Sequence, residues 1–184
     1  QVRENLNTSI DQFYNTSERI WTYTSAYGTD DNLSCLVDVT DNTTGSLLYF
    51  DRSWFMNEKR EEVPLKGFLY KNRTTGRSNI MSLYEPDFTS GSLISGLLGK
   101  EFGLEQLLYQ SDDNSCGVVK FLKQKFIRYD LRVWNCSLQV GPHENCTNYF
   151  AQAVKKHEKY GKLNERKVYE PKCHALLWPT EGCQ

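Results

Sequence analysis

The sequence has little of what catalysis or membrane insertion requires. Its only histidines are His143, His157 and His174, and no His-Glu-x-x-His or Gly-x-Ser-x-Gly stretch occurs. Cys-x-x-Cys is absent too, so neither a zinc ribbon nor a dithiol redox centre is expected. The run Gly96-Leu97-Leu98-Gly99-Lys100 falls short of a phosphate-binding loop: the first glycine is misplaced, and Glu101 stands where Ser or Thr is needed. Adjacent Asp112 and Asp113 sit among turn formers, an ordinary setting for them. The expectation is a protein that is not an enzyme and uses no metal or cofactor. No run of about 18 apolar residues exists, so no segment is expected to span a membrane. Net charge is nearly nil, with 22 Lys+Arg against 23 Asp+Glu, and no basic stripe offers a nucleic-acid footprint. The opening Gln1-Val2-Arg3-Glu4 is polar, so a leader is expected to have been removed or never to have been present.

What is present points outside the cell. Six cysteines accompany seven Asn-x-Ser/Thr acceptors: Asn7, Asn15, Asn32, Asn42, Asn72, Asn135 and Asn145. An even cysteine count with this density of acceptors reads as a secreted, disulfide-bonded glycoprotein. Asn135 and Asn145 carry cysteine in the middle position and are expected to be the poorer acceptors. The 184 residues are long enough for one domain with a real core.

Residues 9–17 read as a short helix, with Ser9 and Gln12 as a capping box and Ile10, Phe13 and Tyr14 on one face. Period-2 patterning then gives strands at about 19–27, 34–41, 46–55, 63–71, 78–84, 105–110, 117–123 and 126–135. Turn chemistry separates them, as in Asp41-Asn42-Thr43-Thr44-Gly45 and Ser111-Asp112-Asp113-Asn114. Eight such strands over 19–135 suggest an antiparallel up-and-down barrel, with a β-sandwich as the alternative. At 143–158 the period changes: Tyr149, Phe150, Ala153, Val154 and His157 form one helical stripe, and Lys155, Lys156 and Lys159 face solvent. On that stripe His157 reads as a packed or surface histidine rather than a base. A last short strand is placed near 166–170, within a tail, 166–184, that disulfides are expected to pin.

One stretch carries a family likeness. It runs Ser111-Asp112-Asp113-Asn114-Ser115-Cys116-Gly117-Val118, then a strand ending Leu131-Arg132-Val133-Trp134, then Cys146. This order of Cys, apolar strand, Trp-ended strand and Cys resembles the signature of tick salivary lipocalins. The resemblance implies a mainly β, eight-stranded lipocalin barrel with a short N-terminal helix and a C-terminal helix packed outside. It also implies bridges Cys35–Cys173 and Cys116–Cys146, which leaves Cys136 and Cys183 as a third pair. In the histamine-binding members two acids hold the amine; the matching positions here are Gly117 and Arg132. Loss of both acids argues against histamine or serotonin, and Gly117 is expected to vacate volume. Arg132 is expected to point inward, either to hold the acidic head of a lipid or to be neutralised by Asp130 or by an acid on a neighbouring strand. The second role is compatible with a neutral ligand such as a sterol.

The candidate ligand-binding residues are Trp21, Phe50, Phe68, Tyr70, Leu83, Leu108, Phe121, Arg132 and Trp134. The 86–104 connection is long and apolar, and Phe88, Leu93, Ile94, Leu97 and Leu98 are expected to form a lid or an interface. The resemblance implies a salivary protein that sequesters host mediators or modulates host immune or inflammatory responses; with the apolar strand residues, the expectation is a monomeric carrier of a sterol, fatty acid or leukotriene-like lipid. Action through a host immune-cell or plasma protein is the alternative, and amine scavenging a further one.

Overall fold

The computed structural model describes residues 7–86 and 99–177. A one-turn helix, α1 (Ile10–Phe13), precedes eight antiparallel strands: β1 (Ile20–Tyr27), β2 (Leu33–Thr44), β3 (Leu47–Met56), β4 (Lys59–Lys71), β5 (Ser78–Glu85), β6 (Lys100–Gln110), β7 (Cys116–Lys123) and β8 (Phe126–Trp134). After them come α2 (Glu144–His157), a short β9 (Asn164–Lys167) and α3 (Lys172–Leu177). Each strand pairs with the next, and β1 pairs with β8 along its length, so the sheet closes on itself as an up-and-down barrel. Closure removes the free edges that an open sheet would expose.

The last seam, between β1 and β2, is only partly direct. Ile20 pairs with Asp38 and Trp21 with Val37; beyond that point β2 leaves β1. The chain after α2 fills the gap. β9 pairs with Thr24–Tyr27 of β1, the Val168 amide donates to Tyr23 O at 3.1 Å, and the Cys35 amide donates to Val168 O at 2.8 Å. Cys35–Cys173 then ties the segment to β2, and Cys116–Cys146 ties the start of α2 to β7. Both pairings agree with those implied by the resemblance. The third expected pair, Cys136–Cys183, ends on a residue outside the described range.

α2 buries Cys146, Phe150, Ala153 and Val154 against the outside of β6–β8, with Tyr149 and His157 at its margins. Lys155, Lys156 and Lys159 are exposed, so the stripe read from the sequence is the packed one. Six acceptor asparagines are exposed: Asn7, Asn15, Asn32, Asn42, Asn72 and Asn145. Asn135 is half-buried, and its Oδ1 accepts the Trp21 indole N–H at 2.9 Å.

Several boundaries differ from the sequence reading. α1 is shorter than 9–17 and has no capping box: the Ser9 hydroxyl donates to Asp11 Oδ1, and the Ser9 amide donates to Gln110 Oε1 at the end of β6. A barrel contact replaces the local one. The expected turn at Asp41–Gly45 is mostly strand, because Gly45 at φ +58 lets Gly45-Ser46 alone reverse the chain. β4 starts at Lys59, where Asn57 and Glu58 take positive φ and make the turn themselves. β6 starts at Lys100, so Glu101, Gly103 and Leu104 pair with β5 across an irregularity at Phe102. β9 lies slightly earlier than 166–170.

Candidate functional site: the barrel interior

Every second residue of a barrel strand faces inward, and the inward set here divides into three levels. The first is a plug. Ile10, Phe13 and Tyr14 enter the end carrying the β2–β3, β4–β5 and β6–β7 turns and pack with Leu48, Phe50, Leu65, Leu69, Met81 and Leu107 in one buried cluster. The Trp134 indole N–H donates to Phe13 O at 3.1 Å and latches α1 to the end of β8.

The second level is ionic. Arg132, 1 % exposed, donates from Nη1 to Tyr14 Oη at 2.7 Å and Glu105 Oε2 at 2.9 Å. Its Nη2 reaches Glu105 Oε1 at 2.6 Å and Asp130 Oδ2 at 3.0 Å. Arg52 grips Asp38 with both Nε and Nη2 at 2.7 Å, and Nη2 also meets Glu105 Oε1 at 2.8 Å. Arg128 holds Asp130 at 2.8 and 3.1 Å, the Ser25 hydroxyl donates to Asp130 at 2.6 Å, and the Tyr14 hydroxyl donates to Asp38 at 2.8 Å. Three carboxylates thus face three guanidiniums, all buried.

The protonation states follow from these contacts. Burial opposes ionisation of Glu105, but Arg132 and Arg52 outweigh it and hold its pKa at about 2. Burial likewise disfavours charge on Asp130, and Arg128 and Arg132 bring its pKa to about 2. Desolvation would lower the Arg132 pKa; Glu105, Tyr14, Asp38 and Asp130 raise it well above its ordinary value. Burial raises Tyr14 despite Arg132, so its hydroxyl stays a donor. Three carboxylates set against three guanidiniums leave the layer with no formal net charge. Arg132 is inward, as the resemblance implies, and paired with both Asp130 and acids from neighbouring strands.

The third level is an aromatic collar at the opposite end. Trp54, Phe102, Phe121, Phe126 and Tyr27 follow one another with ring centroids 6.0 to 6.3 Å apart, largely tilted or edge-to-face. They come from β3, β6, β7, β8 and β1, and Trp54, Phe102 and Phe126 remain half-exposed. Arg128 lies 4.8 Å from the Phe121 ring centroid, joining collar to ionic layer.

Gly117 does not vacate volume. A Cβ there would lie 3.0 Å from Tyr109 O, 3.1 Å from Leu107 Cδ1 and 3.2 Å from Phe13 Cε2, so the plug already occupies the place of the missing acid. Gly117→Asp is therefore expected to cost about 2 kcal/mol or more through overpacking and an unpaired buried carboxylate, with no gain in histamine affinity. Denaturant unfolding and histamine calorimetry on the variant check both statements.

Of the sequence candidates, Phe50, Leu83, Phe121, Arg132 and Trp134 belong to the interior set. Trp21 lies outside the lumen with Cys35, Val37 and Cys173, its ring 5.3 Å from Tyr169 and 5.0 Å from His174. Phe68 stacks edge-on against Tyr84, on the strand face opposite Leu65 and Leu69, and Tyr70 is 54 % exposed on that same face. Leu108 packs under α2. Phe88, Leu93, Ile94, Leu97 and Leu98 lie outside the described residues. Sequence reading missed Tyr14, Asp38, Arg52 and Glu105. A signal existed: each acid or base shares its strand parity with apolar interior residues, as Arg52 does with Leu48 and Phe50.

No protein-family profile and no curated protein sequence matches the chain. Solved structures do. Japanin from Rhipicephalus appendiculatus, solved bound to cholesterol, is similar with a TM-score of 0.51 at 11 % identity, over 86 % of this chain and 96 % of Japanin. The siderocalin Ex-FABP, described as having dual ligand specificities, is similar with a TM-score of 0.51 at 8 % identity, over 77 % of this chain and 86 % of its own. With its eight-stranded closed barrel, N-terminal plug and outer helix, the chain has the lipocalin fold.

Proposed function

We propose that this protein is a secreted carrier that holds one neutral, largely apolar small molecule, of sterol-like chemistry, between the aromatic collar and the ionic layer. The observation that carries this reading is the internal neutralisation of the layer. A cationic amine needs a spare carboxylate, and Asp38, Glu105 and Asp130 are each committed to arginine. An acidic lipid head needs a spare guanidinium, and Arg132 is already ringed by acceptors. Displacing one of these buried partners would leave it uncompensated, at a cost of several kcal/mol. A neutral ligand disturbs nothing, and Arg52 Nη1, buried without a hydrogen-bond partner among the described residues, is a donor suited to a hydroxyl or carbonyl. The similarly folded Japanin, solved bound to cholesterol, supports the same ligand class. The two disulfides and exposed acceptor asparagines support secretion, and the tick-lipocalin resemblance supports a salivary role directed at host immune mediators.

Native mass spectrometry of protein from a secretory host, with cholesterol added, tests the reading. One sterol per chain is expected, undisplaced by histamine. An empty barrel that takes up no neutral lipid, or one that prefers histamine, would overturn it.

A further inference from the structure

We propose that a groove on the outside of the barrel is a second ligand site, built for a single-chain amphiphile with a carboxylate head. The site is separate from the lumen. β6, β7 and β8 supply Leu108, Lys120, Ile127 and Tyr129 from their outer faces, α2 and the turn after it form the other wall, and the groove between them, open on one side, is about 500 Å³. That volume lies within the range of small-molecule sites. Its floor is apolar and aromatic.

Charge decides the occupant. Gln106, Lys120, Lys156, His157 and Tyr160 supply the polar rim, and among the described residues no acidic side chain lines the groove. Neither Lys120 nor Lys156 makes an ion pair among the described residues; the Lys120 ammonium rests 5.8 Å from the Tyr129 ring centroid. The lumen differs in that every guanidinium there is matched by a carboxylate. The Tyr129 hydroxyl and His157 Nδ1 lie 3.4 Å apart at the groove wall and add hydrogen-bonding capacity beside the two ammonium groups. Burial and then Lys120 lower the His157 pKa, which agrees with an unneutralised positive field here. Apolar floor and cationic rim fit an aliphatic chain ending in an anion. An amine would be repelled, and a neutral alcohol would leave the lysines unused.

The probe is laurate, titrated calorimetrically into cholesterol-loaded protein. One laurate per chain is expected, without release of cholesterol, and dodecanol and dodecyltrimethylammonium should bind at least about tenfold more weakly. Lys120→Glu/Lys156→Glu should weaken laurate about tenfold or more while leaving cholesterol uptake unchanged. Ala153→Trp, which fills the groove from the α2 wall, should abolish laurate binding. Several results would overturn the site: laurate expelling cholesterol, both variants binding laurate like the parent, or lysine-dependent sedimentation with phosphatidylglycerol vesicles in the absence of free laurate binding. Failure of cholesterol uptake with laurate binding intact would count against the luminal reading and leave the groove standing.

Discussion

Arg132→Met is expected to lower folding stability by about 3–5 kcal/mol, and to reverse the sign of its dependence on pH. The size follows from what the substitution leaves behind. Arg132 contacts Tyr14, Glu105, Asp130 and Asp38, all within 3.4 Å. Without it, three buried carboxylates face only Arg52 and Arg128, so the barrel encloses an unmatched negative charge. Methionine fills much of the volume, which makes the loss electrostatic rather than a cavity effect.

The pH dependence separates these terms. In the parent, Glu105 and Asp130 have folded pKa values of about 2, below their ordinary 4.5 and 3.8. Groups depressed in this way contribute stability that is complete above the unfolded pKa and lost as pH falls toward the folded value. The parent should therefore weaken between about pH 4.5 and 2. In the variant, burial without its counter-charge raises the affinity of the acid cluster for a proton above that of the unfolded chain. Acidification from neutral pH should then stabilise it. Glu105→Gln added to Arg132→Met restores a two-to-two balance of Asp38 and Asp130 with Arg52 and Arg128, and should recover about 1–3 kcal/mol of the loss. Urea unfolding from pH 3 to 8 on the four proteins of this cycle measures all of this. Equal stabilities with parallel pH profiles would show that the layer is incidental packing.

How far the sequence reveals this arrangement depends on strand parity. Alternation identifies all eight barrel strands, and the Cys116…Trp134…Cys146 order marks the staple and the latch. Parity then fails wherever a ladder slips. The irregularity between Thr22 and Thr24 in β1 and that between Leu107 and Tyr109 in β6 each shift the alternation, and Trp21 and Leu108 end outside the lumen. β4 has bulky residues on both faces, so Phe68 and Tyr70 compete with Leu65 and Leu69 for the interior and the pattern alone does not choose. The ionic layer was half visible. Arg132 stands out against a motif, whereas Asp38, Arg52 and Glu105 become legible only once strand parity is asked which charged residues it buries. The plug is a tertiary fact: nothing local in Ile10-Asp11-Gln12-Phe13 says that Phe13 occupies the space beside Gly117.

Breaking Cys35–Cys173 should cost more than breaking Cys116–Cys146, even though the latter lies in the most recognisable part of the chain. In the chain-entropy view, a bridge spanning 138 residues restricts the unfolded state by about 5 kcal/mol and one spanning 30 residues by about 3.5 kcal/mol. The native contacts widen the difference. Cys116–Cys146 fixes a helix that already has its own apolar face on β6–β8. Cys35–Cys173 holds the segment that completes the barrel where β2 parts from β1, with Val168 fully buried beneath it. Cys35 also sits at φ +52, a left-handed conformation costly for a residue with a side chain, at an irregularity between Ser34 and Val37. The bridge and the Cys35 N–H···O bond to Val168 keep it there. Cys35→Ala/Cys173→Ala is thus expected to unfold at markedly lower denaturant than Cys116→Ala/Cys146→Ala. Trp21, which loses Tyr169 and His174 as neighbours when the tail lifts, should shift its fluorescence before global unfolding in the first variant alone. If both variants lose equal stability and Trp21 reports a single transition in each, the tail is an ornament on a barrel that closes without it.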